Sequence, residues 1–281
     1  MEMDNKEIAK DAILEVAKDA YTDVVHPAAQ NVGGAIGILT GWFTNVVLYP
    51  VKKLNIEYEQ KAIAWQRDME KKYNAIPEEN RVDPQLNIVG PTLESMKYNI
   101  MDDDLAEMFS NLLVSNMDES TQGLCTPSFV KTIEQLTPND AKAFRAIIQR
   151  DRKKEPLAVC KIKYIQVNNP DYGLREELVP KYYASFTVEG LTYEELSKSL
   201  QNLHRVGLIE LNFINTYKDK SIYENIIHSG DITDLLAWMK NVLKVEHRAE
   251  MGSKGVIFLN EFSHDFATVC LREQQNASNE G

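Results

Sequence analysis

Apolar residues recur at every fourth position near the start of the chain: Ile8, Ala12, Val16, Ala20 and Val24. That spacing predicts a helix over 5–25. Glu7, Asp11, Glu15, Asp19 and Asp23 run beside them and read as the wet face of that helix. It should end at His26-Pro27, because the residue before a proline avoids the helical region. The pattern then changes. Residues 32–51, VGGAIGILTGWFTNVVLYPV, are twenty residues without a charge. As a helix they would extend about 30 Å, roughly the thickness of a bilayer's hydrocarbon core. Gly33, Gly37 and Gly41 would share one face, where a missing side chain lets another backbone come close. Trp42 and Tyr49 are candidate interfacial residues, and Lys52 and Lys53 follow directly. Two readings stand side by side: a membrane-contacting segment, and a buried central helix of a soluble fold.

Downstream, residues 53–75 form a long charged helix with a partial apolar face at Leu54, Tyr58, Ile63, Trp65, Met69 and Tyr73. Pro77, Pro84, Gly90 and Pro91 predict an extended connector over 77–92. Helices are expected at 92–101, 103–118, 128–136 and 138–151. Asp102, Asp103 and Asp104 suit the start of the second of these, where the helix dipole favours negative charge. Thr137-Pro138 supplies a cap and a first-turn proline for the last. The expected core is Phe109, Leu112, Leu113, Phe129, Ile133, Leu136, Phe144 and Ile147. Beyond residue 152 the composition shifts. LAVCKIKYIQV (157–167) is rich in β-branched and aromatic residues and predicts a strand. LTYEELSKSLQNLHRVGLIEL (191–211) reads as helix, turn at Gly207 and strand, with Thr192 and Glu195 forming a capping box. Residues 231–245 predict an amphipathic helix, and 255–271 a strand entering a short helix. The expected fold is therefore mainly α: a helical region over 1–152, a smaller α+β winged-helix-like region over 153–272, and a flexible tail at 273–281.

Charge and cysteine content narrow the function. The formal net charge is −11, which argues against nucleic acid as a partner, since binding it requires cations that displace condensed counterions. A local basic patch is compatible with that balance. Cys125, Cys160 and Cys270 are far apart and form no CxxC pair, which fits a reducing compartment without a zinc site. The acidic start MEMDNKEIAKD does not match a secretory leader. His26, His204, His228, His247 and His264 form no short ligand motif. The NVGGAIG stretch lacks both phosphate-cradling glycine patterns, and no GxSxG elbow occurs. No base marks Cys125 or Ser128 as a nucleophile. The expectation is a protein that is not an enzyme, with no catalytic residues, metal, cofactor or small-molecule substrate.

In the winged-helix-like part, a reading helix would present Lys198, Gln201, Asn202 and Arg205. Glu194 and Glu195 oppose phosphate contact, so a protein-protein or purely structural role is the stronger expectation for this part. Residues 1–31 carry seven acids against three lysines, a formal charge of −4. If the apolar run did span a membrane, Lys52 and Lys53 would stay on the cytoplasmic side.

The order of short motifs resembles the abortive-infection alpha family of bacterial proteins. The matching residues are YTDVVHPAAQNVGGAIG (21–37), YPVKKLN (49–55), the IPEE turn (76–79), and Pro84, Ile88, Pro91 and Glu94. DDLAEMFSNLLVSNMD (103–118), PSFVKTIEQLTPNDAKAF (127–144) and FLNEFSHDFATVCL (258–271) complete the set. The chain departs from the pattern at Thr126, where we associate the family with a histidine. The resemblance implies defence against phage by arresting or harming the infected cell; it carries no catalytic signature. The resulting expectation is a cytoplasmic, non-enzymatic effector, associated with the inner membrane or working through self-association or a protein partner. The alternative is a soluble winged-helix-like interaction or transcription-regulatory module.

Overall fold

The computed structural model describes residues 56–168 and 180–272. Two compact units divide them: one takes the described residues through Gln135 together with those from Thr268 onward, the other Leu136–Ala267.

In the first unit, helix α1 (Ile56–Asn74) buries Ala62, Trp65, Met69 and Tyr73; of the apolar face predicted for it, Trp65, Met69 and Tyr73 pack inward, whereas Ile63 is exposed. A short 3-10 turn at Glu78–Asn80 follows. The connector predicted over 77–92 ends early, because α2 (Leu86–Asn99) begins inside it and runs through Pro91. Proline in a helix normally costs about 3 kcal/mol. Here it sits in the second turn, and hydroxyls cap neighbouring carbonyls: Thr92 Oγ1 donates to Ile88 O at 2.6 Å and Ser95 Oγ to Pro91 O at 2.8 Å. Ile88, Val89, Leu93 and Met96 are buried, and that burial outweighs the local breaker signal.

Helix α3 (Asp103–Ser115) starts where the aspartates predicted, with Asp102 accepting from Leu105 N at 2.9 Å. It stops three residues short of the predicted end, because Asp118 turns instead to cap α4 (Glu119–Gln122) through Ser120 N at 3.1 Å. Helix α5 (Pro127–Glu134) closes the set, with Phe129 and Ile133 buried. The expected core residues Phe109, Leu112, Leu113, Phe129 and Ile133 are all 2% exposed or less.

The same unit receives the C-terminal stretch. Ser115 Oγ donates to Val269 O at 3.0 Å, Asn111 Nδ2 to Cys270 O at 2.9 Å, and Arg272 Nη2 to Asp118 Oδ2 at 3.2 Å. Buried side chains of α3 thus satisfy carbonyls at the end of a π-helix (Ala267–Leu271), groups that no further turn would satisfy.

The second unit opens with α6 (Pro138–Arg152), whose Thr137–Asp140 capping box is formed in both directions. Phe144 and Ile147 are buried on it, and α6 packs against α7 (Tyr193–Arg205). Strands β1 (Ala158–Gln166), β2 (Tyr183–Ala184), β3 (Glu210–Asn212) and β4 (His247–Phe258) form an antiparallel sheet in the order β2-β1-β4-β3. Helices α8 (Ser221–Ile227) and α9 (Gly230–Leu243) cover one face. There Cys160, Ile162 and Tyr164 of β1 meet Tyr223, Ile226, Ile232 and Met239. The chain enters β3 through Gly207, whose φ of +82° is a turn conformation that suits glycine. A last helix, α10 (Glu261–Phe266), precedes the π-helix.

The mainly α class with a smaller α+β part is the fold observed. The helix–strand–strand order of a winged helix is present as α7, β3 and β4, but α8 and α9 stand where a wing would be a short loop. Strand β4 begins at His247, well before the predicted start at 255. Its first eight residues, HRAEMGSK, are largely polar and half-exposed or exposed and lack the apolar alternation that marks a strand covered on one face.

Candidate functional site

The segment singled out by its lack of charge, with Gly33, Gly37, Gly41, Trp42, Tyr49, Lys52 and Lys53, lies outside the described residues, as does the predicted helix over 5–25. Among the described residues, no helix is long and apolar enough to cross a membrane.

The second set of candidates lies on α7. The reciprocal bonds of its capping box hold Glu195 below the usual carboxylate range, chiefly through the Thr192 N–H at 2.8 Å. Leu196, Leu200 and Leu203 are buried as predicted. Of the four candidate partner residues, Lys198 is exposed and pairs with Glu194 at 2.7 Å. Gln201 Nε2 donates to Ser197 O at 3.1 Å. Asn202 Nδ2 donates to Asp140 Oδ2 at 2.7 Å, and Arg205 donates to Asn202 Oδ1 from Nε at 2.9 Å and Nη2 at 2.7 Å. Asn202 therefore ties α7 to the first turn of α6. Asn202 is thus engaged between the two helices, while Lys198 stays at the exposed surface.

Sequence reasoning missed a cleft of about 370 Å³ in the second unit, at the small end of the range for ligand pockets. Arg150 from the end of α6, Ser185 and Thr187 after β2, Tyr193 at the start of α7, and Asn225 and Ile226 of α8 line it. The Arg150 guanidinium lies 5.0 Å from the centroid of Phe186 and pairs with Glu155. Ser185 Oγ donates to Pro156 O at 3.3 Å and accepts from Ala158 N at 3.2 Å. Tyr193 packs on Tyr183, whose hydroxyl lies 2.7 Å from that of Tyr164. Among the described residues, no carboxylate, histidine or cysteine lines the cleft, so those walls hold no general acid–base pair. One guanidinium among neutral hydroxyl and amide groups suits a small polar or anionic molecule. The residues come from positions 150 to 226 at no regular spacing, and no sequence motif could have joined them.

The thiols are unreactive by environment. Burial pushes Cys125 and Cys160 up to about 12, and Cys270 well above its usual value of 9.0. A nucleophilic cysteine needs the opposite shift. Among the described residues, no group of three His, Cys, Asp or Glu side chains is placed to hold a metal ion.

These features define a mainly helical, two-unit protein whose closing segment is bonded back to an early helix. It belongs to the abortive infection alpha family, whose model matches residues 57–270, a span that takes in nearly all of the described structure. Its functional class is accordingly abortive infection, a defence against phage. No curated protein and no solved structure matches the chain.

Proposed function

We propose that the chain is a non-enzymatic effector of abortive infection. It resides in the cytoplasm and acts by physical contact, at the inner membrane through Val32–Val51 or on a protein partner, rather than by turnover of a substrate. Family membership over 57–270 carries the abortive-infection part of the reading. The elevated thiol pKa values support the non-enzymatic part, and the uncharged run of bilayer length supports the membrane part.

The test follows inner-membrane potential with a dye in producing cells challenged with phage, and leakage from liposomes exposed to the purified protein. Depolarisation after infection, lost in a Gly37→Leu/Gly41→Leu variant that remains soluble, is the expected result. An intact potential together with purely cytosolic fractionation through infection would remove the membrane arm.

A further inference from the structure

The sheet's second face carries chemistry of its own. Alternation along β1 puts Cys160, Ile162 and Tyr164 against α8 and α9, and therefore Lys161, Lys163 and Ile165 on the opposite side. Burial follows that split: the first three are buried, Lys161 and Ile165 are half-exposed and Lys163 is exposed. Two aromatic rings lie on this opposite face. Tyr182, just before β2, and Phe213, just after β3, come from the two edges and stack at 5.8 Å between centroids. Strand β4 permits it at Gly255, where a Cβ would come within 2.8 Å of Phe213 Cδ1.

Cations gather on this platform. Lys161 Nζ lies 5.2 Å from the Phe213 centroid and 5.8 Å from that of Tyr182, and Lys181 Nζ lies 5.4 Å from Tyr182. Lys163 and Lys161 are two residues apart on one strand face, about 7 Å at roughly 3.3–3.4 Å per residue. Among the described residues, none of these three lysines has an ion-pair partner. Arg248, opposite Ile165 in the ladder, is paired with Glu250 at 2.8 Å. Glu250 stands opposite Lys163 and is the carboxylate that β1 and β4 place on this face. The chain's overall charge is −11, so the local sign is reversed.

We propose that this face binds single-stranded nucleic acid. Unpaired lysines at strand spacing suit successive phosphates, and the half-exposed Phe213 ring beside them offers a surface on which a base can stack. An acidic polypeptide would use the lysines but gain nothing from the ring, and a duplex keeps its bases stacked internally.

The test is fluorescence anisotropy of the full chain with labelled single strands of RNA and DNA of about 12 nucleotides, within the span one such platform covers. A duplex of the same length and a polyglutamate peptide complete the set. With three lysines engaged, log K should fall against log salt with a slope of about −2. Lys163→Glu/Lys181→Glu, both at exposed positions, should flatten it to about −0.7 or less. Phe213→Leu keeps the apolar packing and should weaken binding roughly tenfold at fixed salt, leaving the slope unchanged. Preference for RNA over DNA, or the reverse, upholds the proposal and identifies the sugar read. Absence of single-strand binding overturns it. So does polyglutamate or duplex binding as tight as that of the single strand and insensitive to Phe213→Leu.

Discussion

Replacing Asn202 by alanine separates a structural role from a partner-binding role on α7. In the folded protein the Asn202 amide donates to Asp140 Oδ2 at 2.7 Å. Asp140 is 2% exposed, and the same oxygen accepts from Thr137 N at 2.7 Å. A hydrogen bond to an ionised acceptor is worth about 1.5–3 kcal/mol net. Because Asn202 is half-buried and Asp140 keeps its backbone donor, Asn202→Ala should cost about 1.5 kcal/mol. Asp140→Ala loses the same bond together with the Thr137 N–H bond that completes the capping box of α6, about another 1 kcal/mol, and should cost about 2.5–3 kcal/mol. If the two residues act through each other, the double variant should cost about 1–1.5 kcal/mol less than the sum of the singles. Hydrogen exchange by mass spectrometry on peptides covering 137–152 reads these differences as local opening, with Asn202→Ala speeding exchange roughly tenfold. A change below about 0.5 kcal/mol for Asn202→Ala, with no coupling to Asp140→Ala, would refute the lock and return Asn202 to the free surface.

Three further outcomes are expected. Folding raises the Cys125 and Cys160 pKa from 9.0 to about 12; their contribution is fully present below pH 9 and is lost as pH rises toward 12, because the unfolded thiols ionise first. Urea midpoints should therefore decline across that window, more steeply than in a Cys125→Ser/Cys160→Ala variant, and the native thiols should resist a maleimide at neutral pH. Gly255→Ala should lower the thermal midpoint by a change equivalent to about 1–3 kcal/mol, since its methyl would sit 2.6 Å from Asn212 O; Gly123→Ala, with nothing within 4 Å, should be neutral or slightly stabilising. Asn111→Ala strands the buried Cys270 carbonyl and should cost about 1–3 kcal/mol, seen as faster proteolytic cleavage after Phe266.

Sequence signals succeeded where a local chemical group decides the structure. The Thr192–Glu195 and Thr137–Pro138 starts, the Asp102 cap and the Gly207 turn each satisfy backbone needs within a few residues, so the pattern alone located α7, α6, α3 and the entry to β3. It failed where burial or distant partners decide. Pro91 reads as a breaker, yet Ile88, Leu93 and Met96 hold α2 together around it. Helix α8 is short and escaped notice because its role is to cover the sheet with Tyr223 and Ile226. Lys161 and Lys163 were visible in the strand, but their joining with Phe213 depends on strand order. Asn202 carried the right chemistry for a partner and spends it on Asp140.

The return of residues 268–272 to the first unit bears on synthesis. As the chain leaves the ribosome, α3 appears long before the carbonyls of Val269 and Cys270 that Ser115 and Asn111 must bond. The first unit thus stays unfinished until residues 268–272 have been synthesised. A nascent chain stalled before them would leave Asn111 and Ser115 without those acceptors, tying maturation of the early helices to the arrival of Val269 and Cys270.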